Sequence, residues 1–232
     1  MIIGKFVGRF PLQLPRTEHP RRNLAEVGMY FVFIVAYLTF YIFILSPMLM
    51  SSIGDSFYVG LILNTVILFV LLIYVRYQDH WTSKDLGLNS KVLSWPVVFA
   101  SIGLYILFGA YNFFRLIPQE INWYFLLLLF YSNAFFEEIT FRGFIQTKLE
   151  QALNQKKALL YQAILFMLIH VPANIMTFNI DGNLARFGWN FAFQLVHGLI
   201  FGIIFMKTRN IWASVTCHYL NNWMGALIVL FI

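Results

Sequence analysis

The side chains best placed to do chemistry lie in the second half of the sequence: Glu137, Glu138 and Arg142 in one stretch, His170 in the next, and His218 with Asn222 in the last. Each sits inside a hydrophobic run. An ionisable group at the centre of a membrane helix costs about 2.5–3.5 kcal/mol on insertion scales, so each is a functional candidate by default. Residues four apart share a helix face, so Glu138 and Arg142 can pair, whereas Glu137, about 100° round the axis, has Phe141 at its own i+4 position. On this reading one carboxylate is neutralised and the other is left to act. A carboxylate in an apolar, partly wet site is a competent general base for water. The plainer alternative is an ion-paired cluster that locks helices together.

His218 and Asn222 are again four apart. An imidazole and an amide emerging side by side can donate hydrogen bonds to one small target, as an oxyanion requires. The competing explanation is an interhelical polar clasp, worth only ~0.6–2 kcal/mol. His170, four residues after Phe166, is on its own as consistent with a satisfied core histidine as with a catalytic one. His197 lies beside Gly198 and Gly202, whose spacing makes a close-packing face, and reads as structural or pore-lining.

The elements that must position these groups are membrane helices. With 60% hydrophobic and 11% charged residues over 232 positions, the chain is far more apolar than a soluble domain, which carries about 25% charged residues. Cys217 is the single cysteine, so neither an internal disulfide nor a thiol-based metal site is available. The net charge of +6 is carried in short loops between hydrophobic runs, which favours a lipid surface over nucleic acid. A bilayer core needs ~20 apolar residues of helix per crossing. By that measure the fold is an all-α, polytopic transmembrane bundle of about seven spans, seven or eight: Val27–Pro47, Phe57–Tyr77, Trp95–Phe114, Trp123–Leu149, Ala158–Met176, Phe187–Met206 and Trp212–Ile232. Residues 1–24 form a basic, proline-punctuated lead-in, and 25–232 a single membrane domain. Between Gln78 and Ser94 a loop containing Trp81 and Asp85–Leu88 is expected to lie at the interface as a short amphipathic element.

Basic residues accumulate on the cytoplasmic side. A cytoplasmic N-terminus puts Arg76, Lys84, Lys91, Lys148, Lys156, Lys157, Lys207 and Arg209 inside and only Arg115 and Arg186 outside, as expected of a multi-pass cell-membrane protein. Counting ~1.5 Å per residue, Glu137 lies ~16 Å from Lys148, His170 ~20 Å from Lys157 and His218 ~13 Å from Arg209. Three helices therefore bring polar groups to a similar level, which independent clasps have no reason to do.

With these residues in view, the sequence resembles the CAAX protease and bacteriocin-processing family, which includes the type II CAAX prenyl endopeptidases. Three motifs carry the resemblance: Glu137-Glu138-xxx-Arg142, Phe166-xxx-His170 and His218-xxx-Asn222, on separate hydrophobic helices and in that order. It extends over about 95–232, with Asp85-Leu86-Gly87-Leu88 upstream also fitting. The resemblance implies an intramembrane endopeptidase in which Glu137 activates water, His170 assists, His218 and Asn222 stabilise the oxyanion, and Glu138 and Arg142 support the site. A peptide or membrane-protein substrate follows, in bacteriocin or signal-peptide processing or in self-immunity. No cofactor is required. Zn²⁺ on Glu137, His170 and His218 is the less favoured option, since the histidines lack a local HExxH pairing. A second function class is a non-catalytic scaffold that partners a sensor kinase, a receptor or a peptide-processing system. A transporter would line both halves of the bilayer with polar groups, and here they concentrate at one level.

Overall fold

The computed structural model describes residues 17–48, 56–88 and 134–229. The expected third span, Trp95–Phe114, and the first part of the fourth, up to residue 133, lie outside the described residues. Among the described residues the secondary structure is helical throughout. The helices are α1 (Pro20–Phe40, extended by a π-helical segment Tyr41–Leu45), α2 (Ser56–Gln78), α3 (Phe136–Glu138), a π-helical segment Ile139–Gln146, α4 (Thr147–Ala152), α5 (Gln155–Ile169), α6 (Val171–Asp181), α7 (Leu184–Thr208) and α8 (Ile211–Val229). Three of these stretches, Pro20–Met48, Gly60–Gln78 and Leu184–Thr208, are long and apolar enough to cross a membrane, and α5 with α6 makes a fourth if the bent pair is one span.

These helices turn apolar side chains outwards, as lipid requires. On α7 the exposed residues Trp189, Phe193, Val196, Ile200 and Ile203 recur at helical spacing, while Gly198, Phe201, Gly202 and Phe205 are buried. On α2, Ile62, Val66, Phe69 and Ile73 are exposed, with Leu68, Leu71 and Val75 turned inwards.

The chain divides into two compact units, each assembled from two separated stretches. The first takes residues 1–56 and 144–207, the second 57–143 and 208–232. In the first unit α1 packs on α4 and α5. The helix begins at Pro20, earlier than the Val27 expected from hydropathy, because proline suits the first helical position and the first turns are anchored by polar contacts. Asn23 donates to Gln151 Oε1 at 3.1 Å, and Glu26 accepts from Arg22 at 2.6 Å and from Lys148 at 2.5 Å. Lys148, expected near the cytoplasmic end of the fourth span, is buried, its ammonium paired with Glu26 and lying 5.9 Å from the centre of the Phe144 ring. A buried lysine is tolerable only with its charge matched, and Glu26 supplies the match.

The α5–α7 contact in the same unit rests on glycine. A Cβ on Gly198 would lie 2.8 Å from Ala163 Cα, so only glycine lets the two backbones approach. Gln162, buried on α5, uses this closeness to donate to Gly198 O at 2.7 Å, and Gln146 donates to Gly202 O at 3.1 Å. The structural reading of His197 and its glycines holds: His197 is buried, 3.9 Å from the Phe193 ring centroid and stacked at 5.3 Å on Phe201.

The expected fifth span is not one straight helix. It breaks at His170, and α6 leaves α5 at 41°. Pro172 explains the break, since it has no N–H to donate to Leu168 and its ring clashes with that carbonyl.

Candidate active site

The second unit brings two of the motif segments together. The helical stretch from α3 into the π segment is buried at every position from Glu138 to Gly143, so no face of it meets lipid. π-turns concentrate at functional sites, and this one follows directly on the two carboxylates. Arg142 reaches back one turn to Glu138, with Nη1 3.0 Å from Oε1, and both side chains are fully buried. The pairing expected from the i,i+4 spacing is therefore present. Across from it, α8 contributes His218, whose Nδ1 lies 2.8 Å from the same Glu138 oxygen. A carboxylate oxygen can only accept here, so Nδ1 carries the proton and the ring is held with Nε2 turned away from Glu138. Glu137 Oε2 is 3.9 Å from that Nε2, beyond hydrogen-bond range but close enough for one oxygen atom beside them to touch both. Glu137 is 21% exposed where Glu138 is 0%, so adjacent residues differ sharply in access. Asn222 lies one turn beyond His218 on α8 and is half-buried.

The two helices are fixed near the site by the loop after α2. Asp85 accepts from both Thr82 N and Thr82 Oγ1 at 2.7 Å, closing a turn in which Gly87 adopts φ of 77°, a conformation suited to glycine. Leu86, buried, packs against Gly143, where a Cβ would lie 3.1 Å from the Leu86 carbonyl oxygen. Gly87 O accepts from Ile211 N at 2.9 Å, the first residue of α8. Phe135 and Trp212 add a ring contact at 5.3 Å. The loop expected as an interfacial element is thus a bracket holding both motif helices.

His170 belongs to the first unit. At the break after α5 its N–H bonds Met167 O at 3.2 Å, three residues back, and the Phe166 carbonyl lies one turn before its ring. The His170 Nδ1 takes that carbonyl at 2.7 Å, and its ring packs on Phe166 at 4.9 Å. A carbonyl fixes the tautomer as surely as a carboxylate does: Nδ1 is the donor, and Nε2 of the neutral ring is an acceptor. The phenylalanine four residues before the histidine thus supplies both a ring and an oxygen to orient it.

Glu137, Glu138, Arg142 and His218 are accordingly gathered in one unit, and His170 is oriented within the other. Sequence reasoning missed the contact between Glu138 and His218, which joins residues 80 apart in the chain and leaves no local signal. It also missed a cluster of amides on α6 and α7, although Asn190 and Gln194 have the i,i+4 spacing that could have revealed it. Among the described residues no three His, Cys, Asp or Glu side chains are grouped to hold a metal ion.

Comparison with known families agrees with this geometry. Residues 118–224 match the family model described as type II CAAX prenyl endopeptidase Rce1-like. The sequence is similar to the CAAX protease family over this segment, a little under half of the chain. Every motif residue described above, from Glu137 to Asn222, falls inside it. The family so described is one of peptide hydrolases, and together with the apolar helices the match supports reading the chain as a membrane protease of the CAAX type. Among curated proteins and among solved structures nothing matches the chain.

Proposed function

We propose that the protein is an intramembrane endopeptidase that cleaves a membrane-associated peptide by glutamate-activated water, without a metal. Glu137 takes the proton of a water molecule as that water attacks the scissile carbonyl. His170, held by the Phe166 carbonyl, presents an acceptor nitrogen that assists. His218, once its ring is protonated at Nε2, and Asn222, one turn away on α8, donate to the tetrahedral oxyanion, and Glu137 returns the proton it took from water to the leaving amine. Glu138 and Arg142 orient His218 and carry no proton themselves. The substrate is an amphipathic or membrane-anchored peptide of the kind handled in bacteriocin or signal-peptide maturation, approached from the cytoplasmic side of the cell membrane with the N-terminus of the protein on that side.

The observation that carries the reading is the arrangement around His218: Nδ1 is held at 2.8 Å by a fully buried carboxylate, while Nε2 is 3.9 Å from a second, on a side chain that is 21% exposed. A clasp needs only the first contact. The second leaves a carboxylate and an imidazole nitrogen within reach of one oxygen, which supports the hydrolytic reading. The test compares membranes from wild-type and Glu137→Gln cells by mass spectrometry. Loss of one processed peptide in the variant, at normal protein level, is the expected result. An unchanged peptide profile together with an unchanged wild-type phenotype would instead assign the protein to a scaffolding role.

A further inference from the structure

Hydrolysis inside a bilayer raises a problem that the residues around His218 do not address. A peptide bond in a helix has its carbonyl engaged, so a membrane-anchored substrate must unwind before water can attack it. Unwinding in an apolar medium leaves several backbone N–H and C=O groups unpaired, at several kcal/mol each. The enzyme must supply partners for them.

In the first unit, a cluster of carboxamides begins one turn beyond His170. Asn174 on α6, whose backbone N–H bonds the His170 carbonyl at 2.9 Å, faces Asn190 and Gln194 on α7. Asn174 Nδ2 donates to Gln194 Oε1 at 2.9 Å, and Gln194 Nε2 donates back to Asn174 Oδ1 at 3.4 Å, with Asn190 Nδ2 reaching the same oxygen at 3.5 Å. Two amides exchanging donor and acceptor in this way reproduce the pairing of two peptide groups in a ladder. The two longer bonds are at the outer limit of hydrogen bonding, so the ring is loose. These three bonds use only half of the N–H donors that three carboxamides provide. Asn174 is buried, but Asn190 and Gln194 are half-buried and can be approached. They share α7 with the lipid-facing residues Trp189 and Phe193, where polar amides have no value to lipid.

We propose that Asn174, Asn190 and Gln194 form a substrate subsite that binds unwound peptide backbone. It rests on the endopeptidase reading above. An incoming peptide group exchanges with one amide of the ring, so hydrogen bonds are conserved and the swap is nearly neutral, whereas in lipid the same backbone stays unpaired. The subsite recognises the peptide bond itself, and so selects extended conformation over side-chain identity.

The test separates binding from cleavage. In a Glu137→Gln background, capture of a fluorescent farnesylated CAAX peptide and of an unmodified amphipathic peptide is followed by anisotropy in lipid–detergent micelles. Asn174→Leu with Gln194→Leu is expected to weaken capture about tenfold, the loss of roughly one buried hydrogen bond. The exchange Asn174→Gln with Gln194→Asn should retain most of it. With Glu137 intact, the leucine pair should raise KM and leave kcat nearly unchanged. Replacing both partners by apolar groups keeps the helices packed, so a structural clasp predicts unchanged Kd and KM, which would overturn the proposal. Should the leucine pair unfold, Asn190→Ala at its half-buried position decides: weaker capture supports the subsite and an unchanged Kd overturns it. Absence of capture by every form also overturns it. If the Glu137→Gln protein still cleaves, the catalytic reading fails while the capture data stand separately.

Discussion

Glu138 offers the sharpest perturbation, because one buried oxygen serves both Arg142 and His218. Arg142→Met alone removes the guanidinium and strands a fully buried carboxylate beside an imidazole. Breaking a buried pair on one side costs about 3–5 kcal/mol. Adding Glu138→Gln removes the stranded charge, and the new amide oxygen can still accept from His218 Nδ1. The double variant should therefore recover most of the lost stability, to within about 1 kcal/mol of wild type, since apolar or neutral replacement of both partners is often neutral. Activity should not recover. An imidazole that takes on charge during turnover loses its carboxylate support, and a hydrogen bond to a charged group is worth about 1.5–3 kcal/mol, or about 10- to 150-fold in kcat. Thermal melts of the solubilised protein read the first effect, and endoproteolysis of the processed peptide reads the second. Full activity in the double variant would show that the charge of Glu138 is not used by His218. A neutral Arg142→Met would show that the buried pair does not exist.

Two further outcomes follow from the packing of the first unit. Lys148→Met should destabilise the protein by about 2–4 kcal/mol, less than a fully stranded charge because Arg22 still contacts Glu26, and Glu26→Gln in addition should restore much of it, measured as a double-mutant cycle by thermal melts. Gly198→Ala should cost about 1–3 kcal/mol, since the added methyl meets the Ala163 backbone and must push α5 from α7, lengthening the Gln162 contact; a pulse-proteolysis midpoint equal to wild type would contradict that close approach.

The sequence made the local geometry visible and left the long-range geometry hidden. Phe166 with His170 stood out through the family motif it resembles, whereas Glu138 with Arg142 and His218 with Asn222 are i,i+4 relations that helical periodicity exposed. The glycines of α7 were legible for the same reason. Hydropathy placed the helices but not their irregularities: Pro172 was in plain view, yet the straight span drawn through it ignored the missing N–H and the steric clash. The pairing that buries Lys148 was hidden because Glu26 is 122 residues away in the chain. The bracket formed by Leu86 and Gly87 likewise depends on meeting Gly143 and Ile211, which no local pattern encodes.

The neighbouring carboxylates show how one helix turn can divide labour. Glu137 and Glu138 are chemically near-identical, and the ~100° between them is the only difference the backbone imposes. That rotation sends Glu138 into full burial against Arg142 and His218, where its charge is matched and its oxygen held. It leaves Glu137 partly accessible, in contact range of an imidazole already oriented by its neighbour. A buried, matched carboxylate is a poor base because nothing that needs deprotonating can reach it. An accessible one with no scaffold behind it would be poorly aimed. On the proposed mechanism the sequestered residue supplies orientation and the more exposed one supplies reactivity, so exchanging their surroundings by substitution should abolish turnover even though both carboxylates remain in the chain.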